Sequence, residues 1–200
     1  MVIEVYTDGS ATIATKPGGY GWVIVVDGTK HSEGNGHLEF ATNNDAELEA
    51  AIQGLAAAFK LYMVEKPTVL DVTLVSDSQI VLNWASGAHR FKQAAKMNKY
   101  NALRALVTKM LVKTRWVEGH SGDEHNERCD KLANLGRKKQ EEDIKKDNID
   151  SGKTKIGTKK DGVVSFWCRG VLKVVDLVEN IVEDYDKELH GKRESKMEIR

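Results

Sequence analysis

Asp8 in TDGS, Glu47 in NNDAELEA, Asp77 in VSDSQ and Asp130 in NERCDKLA are the residues best placed to do chemistry, because each stands where a strand end or a helix turn can aim a carboxylate at one point. Four carboxylates converging on one cleft repel one another, and they stay ionised together only if cations share the site. Oxygen ligands with no thiolate among them favour magnesium or manganese over zinc. Two such ions about 4 Å apart are a device for in-line displacement at a phosphodiester. Nucleic-acid hydrolysis is therefore the chemistry to which these residues point.

Strands and helices must bring the four together. Val2, Ile3, Val5 and Tyr6 form a β-rich run expected to stop at Asp8-Gly9, and GYGWVIVVDG with KHSEGNGH reads as a hairpin closed at Asp27-Gly28. Thr42, Asn43 and Asn44 suit a helix cap, and the alanine-rich DAELEAAIQGLAAAFK that follows carries Leu48, Ala51, Ile52, Leu55 and Phe59 along one face, with Glu47 near the first turns. VLDVTLVS is a further strand, and Ser76, Asp77 and Ser78 can cap a helix running to about Trp84. Asp8 and Asp77 are thus both expected to end strands. NALRALVTKML reads as an amphipathic helix, TRWVEG as a fifth strand with Trp116 and Val117 in the sheet core, and residues 123 to 139 as a long helix carrying Asp130. The order βββαβααβα predicts an α/β fold: a five-stranded mixed sheet, three antiparallel strands and then two parallel, with helices on its faces. Strand ends and helix starts at one edge of such a sheet form a cleft.

A chain of 200 residues with 40% apolar content supports one substantial core and a small appendage. Thirty Lys and Arg balance thirty Asp and Glu, which excludes a global attraction to phosphate and leaves only local clustering. Cys129 and Cys168 cannot build a disulfide framework, no run approaches 18 apolar residues, and MVIEVYTDGS does not read as a signal peptide. The expectation is a cytoplasmic protein with no membrane segment. Three regions follow: a catalytic domain over 1–140, a charged linker or helix extension over 141–162, and a small strand–helix extension over 163–200.

Taken together and in order, TDGS, GGYGW, TNNDAELEA, SDSQ and WVEGHSGDEHNERCDKLA resemble the type 1 ribonuclease H family over about residues 1–138. The resemblance implies the ribonuclease H-like fold and an endonuclease that cuts the RNA strand of RNA/DNA hybrids with two Mg2+ ions, for which Mn2+ can substitute, leaving 5′-phosphate and 3′-hydroxyl ends. It implies that Asp8 bridges both ions, that Glu47 and Asp77 complete one site and Asp130 the other, and that His120 in GHSG assists proton traffic and product release. It places Asn43, Asn44 and Gln79 against the RNA strand near its 2′-hydroxyls, which amides can both donate to and accept from, and Thr42 against a phosphate of the DNA strand. The chain keeps only the PGGYG end of the loop between the first two strands, and the interval from Asp77 to His120 is short for the long basic handle that some members use.

A basic segment stands in that interval. Residues 78–117 hold no Asp or Glu but include Arg90, Lys92, Lys96, Lys99, Arg104, Lys109, Lys113 and Arg115, a positive strip that would add salt-dependent affinity beside the cleft, with Arg90, Lys92 and Lys96 foremost. Singly, each element has an ordinary explanation: Asp8 as a turn residue, Asp77 as a cap, Glu47 and Asp130 as solvated helix positions, the lysines as a solvated face. The joint occurrence of the motifs is what favours catalysis. Zinc at His120, His125 and Cys129 lacks a fourth ligand nearby. The C-terminal extension, with Phe166, Trp167 and the apolar stripe from Val174 to Tyr185, is expected to pack on the core, dimerise or contact nucleic acid. Two other readings share the fold, a DNA-directed nuclease such as a resolvase and a non-catalytic hybrid-binding or tethering module; GHSG followed by NERCD argues against the first and the full set of carboxylates against the second.

Overall fold

The computed structural model describes residues 1–12 and 17–150, with side chains as far as Ile144. These lie in a compact unit spanning Met1–Gly157. Expectations for residues 151–200 lie outside the described part. Five strands, β1 (Val2–Ala11), β2 (Gly18–Val26), β3 (Thr29–Leu38), β4 (Asp71–Ser76) and β5 (Lys113–Trp116), form one sheet in the order β3-β2-β1-β4-β5. The pairs β1–β2 and β2–β3 are antiparallel, and β1–β4 and β4–β5 are parallel, so the mixed α/β sheet expected from the sequence is the one found. Asp27 and Gly28, both with positive φ (48° and 80°), close the β2–β3 hairpin as their dipeptide implies.

Four helices cover the sheet: α1 (Asn43–Glu65), α2 (Gln79–Ser86), α3 (Met97–Met110) and α4 (Glu124–Asp150). The helix α1 starts at a capping box in which Thr42 and Asp45 exchange hydrogen bonds, and it stops at Lys66, whose left-handed backbone (φ 44°) precedes Pro67. Its predicted apolar residues, Leu48, Ala51, Ile52, Leu55 and Phe59, are all buried. On the other side α4 lies directly on β2, an approach that Gly21 permits: a Cβ there would stand 2.5 Å from the Cys129 carbonyl oxygen. Cys129 and Leu132 of α4 close a core with Tyr6, Val23, Val25 and Val75, so Cys129 is a packed core thiol and not a zinc ligand. The connection from α2 to α3 is pinned by Phe91, which packs edge-on to Trp84 at 5.0 Å and stacks on Tyr100 at 4.9 Å. Among the described residues no helix is long and apolar enough to cross a membrane.

Three expectations are corrected. β1 does not stop at Asp8-Gly9 but continues to Ala11, because Gly9, Ser10 and Ala11 still pair with Tyr20, Gly19 and Gly18 of β2; only its parallel neighbour ends sooner, at Tyr6↔Val75. The fifth strand covers Lys113–Trp116 and not TRWVEG, and Trp116 is 50% exposed, whereas Val117 does pack against the core. The helix carrying Asp130 runs on past Lys139 through the first part of the charged stretch, to Asp150.

Candidate active site

Asp8 lies where β1, still paired with β2, outruns β4, and Asp77 follows directly on the end of β4, so two adjacent parallel strands deliver both carboxylates to the same edge. The first turns of α1 cross that edge closely because residue 9 is glycine: a Cβ at Gly9 would collide with the backbone nitrogen of Glu47. This contact sets Glu47 over Asp8. Ligand oxygens of Asp8, Glu47 and Asp77 all lie within 4.8 Å of one another. Asp8 and Glu47 are buried, at 7% and 5% exposure.

Burial of like charges is costly, and the carboxyl groups register it. Burial first, then the charges of Asp77 and Asp130, push the Asp8 carboxyl up to about 7, against a hydrogen bond from the Gly9 amide (2.7 Å) that acts the other way. Burial, then Asp8 and Asp77, push Glu47 up to about 9, and its Oε2 is buried with no hydrogen-bond partner. Such a cluster lacks positive charge. A divalent cation with hard oxygen preferences fits it, since it would meet the unpartnered oxygen and cancel the repulsion that raises both groups.

Asp130 stands apart from this trio. It lines the same cleft, of about 520 Å³, from α4. The Asn134 side-chain amide donates to its Oδ1 at 2.7 Å, while the Asn134 Oδ1 accepts from Ser10 Oγ at 2.8 Å, tying the helix to β1 two residues beyond Asp8. The structure therefore brings three predicted carboxylates within reach of a single ion and leaves the fourth outside that group, on the part of the wall that α4 provides. His120 also lines the cleft, exposed on the loop after β5, with a left-handed backbone (φ 55°) that is rare outside glycine. Asn43 and Gln79 face the cleft, and Asn43 Nδ2 approaches Glu47 Oε1 at 3.5 Å. Thr42 and Asn44 flank Asn43 at the start of α1 and do not line the cavity.

Asn126, Glu127 and Trp116 also line the cleft, though the sequence reading gives them no part in the site. Asn126, buried at 3% exposure, donates through Nδ2 to Asp77 Oδ2 at 3.4 Å and leaves its Oδ1 unpartnered. Its signal was its place four residues before Asp130, on the same helix face, in a helix whose first turn is capped by Asp123. Glu127 adds a fifth acid to the wall. Trp116 lines the cleft with its indole Nε1 donating to the Asp77 carbonyl at 3.1 Å, so the ring taken for sheet core is an exposed wall beside the carboxylates.

The positive strip is not a free one, which corrects the expectation that no acid compensates it. Acids from other elements do: Lys96 pairs with Asp45, Lys99 with Glu49, Lys113 with Asp71 and Arg115 with Glu4. The Arg104 guanidinium donates to the Ala85 carbonyl. Arg90 and Lys92 are exposed on either side of buried Phe91.

Fold and site together define an α/β protein of the ribonuclease H-like class with a carboxylate-lined cleft at one sheet edge. A family model described as RNase H matches residues 1–138. The chain is 37% identical over 143 residues to a ribonuclease H of Trichodesmium erythraeum, covering 66% of this chain and 85% of that one. It is also 37% identical over 147 residues to a ribonuclease H of Pseudomonas syringae pv. syringae, covering 67% and 91%. Among solved structures, RNase H1 of Halobacterium salinarum superposes with a TM-score of 0.59 at 30% identity, covering 70% of this chain and 99% of that one. LC11-RNase H1 in complex with an RNA/DNA hybrid gives 0.58 at 26% identity, covering 68% and 97%. The chain belongs to the RNase H family and is an enzyme of the ribonuclease H class.

Proposed function

We propose that the chain is an endonuclease acting on the RNA strand of RNA/DNA hybrids, with two divalent cations, Mg2+ or Mn2+, held in the carboxylate cleft. The observation that carries the reading is the trio of Asp8, Glu47 and Asp77, whose ligand oxygens lie within 4.8 Å of one another with the buried Glu47 Oε2 unpartnered among the described residues. The family match, and a structural relative solved in complex with an RNA/DNA hybrid, support that substrate class. Asp8, Glu47 and Asp77 would hold one ion, and Asp8 with Asp130 the other. Bound there, the metal would supply an activated water and charge neutralisation at a leaving 3′-oxygen, the chemistry that would leave 5′-phosphate and 3′-hydroxyl ends.

The chain's own groups do the rest. Asn126 orients the Asp77 carboxylate through its amide. Asn43 and Gln79, on the cleft wall, meet 2′-hydroxyls and so discriminate against DNA, with Asn44 and Thr42 beside them extending contact along the RNA and to a phosphate of the DNA strand. His120 moves protons from an exposed loop position. Arg90 and Lys92 add sequence-independent attraction to phosphates. The cellular tasks of this reading are removal of replication primers and of RNA paired into genomic DNA, in the cytoplasm.

The test is a labelled hybrid, a duplex RNA and a duplex DNA incubated with magnesium beside D77N. The reading requires cleavage of the RNA strand of the hybrid alone and loss of at least about 100-fold in rate for the variant, the scale of losing one preorganised electrostatic contact. Cleavage of all three duplexes, or an undiminished variant, contradicts it.

A further inference from the structure

We propose that Lys96 and Asp45 form a positioning clamp that joins the substrate-facing turn at the start of α1 to the basic connection before α3, so that Lys96 acts through Asp45 and not on a phosphate. The inference rests on the hybrid reading above. Two rungs build the clamp. Asp45 Oδ2 accepts from the Thr42 backbone amide at 2.9 Å and from Thr42 Oγ1 at 2.7 Å, and its Oδ1 accepts from the Lys96 ammonium. One helical turn on, Glu49 Oε2 pairs with Lys99 at 2.5 Å. Acids four apart on α1 thus meet lysines three apart where α3 begins, a spacing that puts each pair on facing helix sides.

Burial fixes this register. Asp45, Glu49 and Lys99 are all buried, at 7%, 4% and 6% exposure, and a carboxylate so placed is costly to leave without its cation. Thr42 and Lys96 supply the donors that the buried Asp45 carboxylate needs. Sliding α3 along α1 would break both rungs at once. What the clamp joins is informative: on one side Thr42, Asn43 and Asn44, and on the other the connection in which Phe91, wedged between Trp84 and Tyr100, presents Arg90 and Lys92 to solvent. The two halves of the proposed hybrid surface move as one body.

Clamp and phosphate contact predict opposite signs for one substitution. D45N keeps an acceptor for Thr42 but removes the charge that holds Lys96. Fluorescence anisotropy of a labelled hybrid, measured in EDTA over a range of salt so that no turnover occurs, reads the result, with thermal melting in the same buffer. The clamp requires D45N and K96M each to weaken hybrid binding about five- to tenfold, the scale of one ordinary net hydrogen bond, since the pair acts on the substrate surface indirectly. The double variant should be no weaker than either single one, and the salt dependence unchanged. K96R, which restores the pair, should recover most of the affinity. K96M alters a side chain already partly in solvent, so it stands as the test even if D45N disturbs the helix start. If Lys96 instead met phosphate, D45N would free it, tighten binding and steepen the salt dependence, while K96M would flatten it; that outcome overturns the clamp, as would two variants indistinguishable from the parent. A parent chain binding hybrid no better than duplex DNA would remove the substrate reading itself, whatever the variants do.

Discussion

Acids and bases meet opposite fates in this fold. At the edge where β1 runs past the end of β4, Asp8 and Glu47 are buried against each other and against Asp77 with no basic side chain among the described residues lining their cleft except the exposed His120, and both carboxyls are forced upward. Across the basic segment, Lys96, Lys99, Lys113 and Arg115 each reach a carboxylate from outside the segment, two of them on α1, one on β4 and one on β1. A chain with thirty acids and thirty bases has cations enough to neutralise the cleft, yet the fold uses these four elsewhere. Charge that is paired contributes to architecture. Charge left buried and uncompensated destabilises the metal-free protein and is the part of the molecule that demands a ligand.

With the carboxylates themselves left in place, removing the hydrogen bond that orients Asp77 on the uncompensated side should have the largest effect. N126A frees the Asp77 carboxylate from its amide, and kcat/KM for hybrid cleavage should fall about 10- to 100-fold, as for other groups that orient metal ligands. A change within about twofold would mean that Asp77 needs no support from α4.

The pH dependence of stability comes next. The ordinary values of 3.8 for Asp8 and 4.5 for Glu47 rise to about 7 and about 9 on folding, through burial first and then neighbouring acids. A carboxyl whose pKa rises on folding holds its proton more tightly in the native state, so its contribution is fully present below the unfolded value and is lost as pH rises through the folded one. Melting in EDTA should therefore show stability falling between about pH 4 and about pH 9, the window set by these two groups. D8N should flatten the fall by removing one of the two acids, and magnesium should flatten it by compensating the charge. A stability that rises over this window in EDTA contradicts the sign.

The smallest effect belongs to the basic side. With Lys96 committed to Asp45, only Arg90 and Lys92 of the three foremost cations are exposed, so R90A and K92A together should reduce the slope of log affinity against log salt by about 1 to 2, and K113A, whose ammonium pairs with Asp71, should leave it unchanged. Equal flattening by K113A would show that ion pairs in this segment open to meet phosphate.

The sequence made the architecture legible wherever local chemistry agreed with the tertiary fold. The Asp27-Gly28 turn, the capping residues at Thr42 and the apolar face from Leu48 to Phe59 all stand as read. The errors fall where distant partners decide. β1 runs past Asp8 because β2 offers residues to pair with, and Trp116 turns out to the cleft because the strand ends there. The carboxylates were legible because their motifs carry them, whereas Asn126 was hidden inside NERCD, its value arising only when α4 lays it against Asp77. The basic strip misled for the complementary reason: a segment without acids looks unpaired along the chain, but Asp45, Glu49, Asp71 and Glu4 arrive from helix and strands folded beside it.

Anomalous diffraction from a crystal soaked in manganese locates the cation that the carboxylate cleft demands. Manganese should be bounded by the carboxylates of Asp8, Glu47 and Asp77, with none at the paired acids Asp45 and Glu49. Manganese absent from that trio, or the three side chains pointing apart, would contradict it.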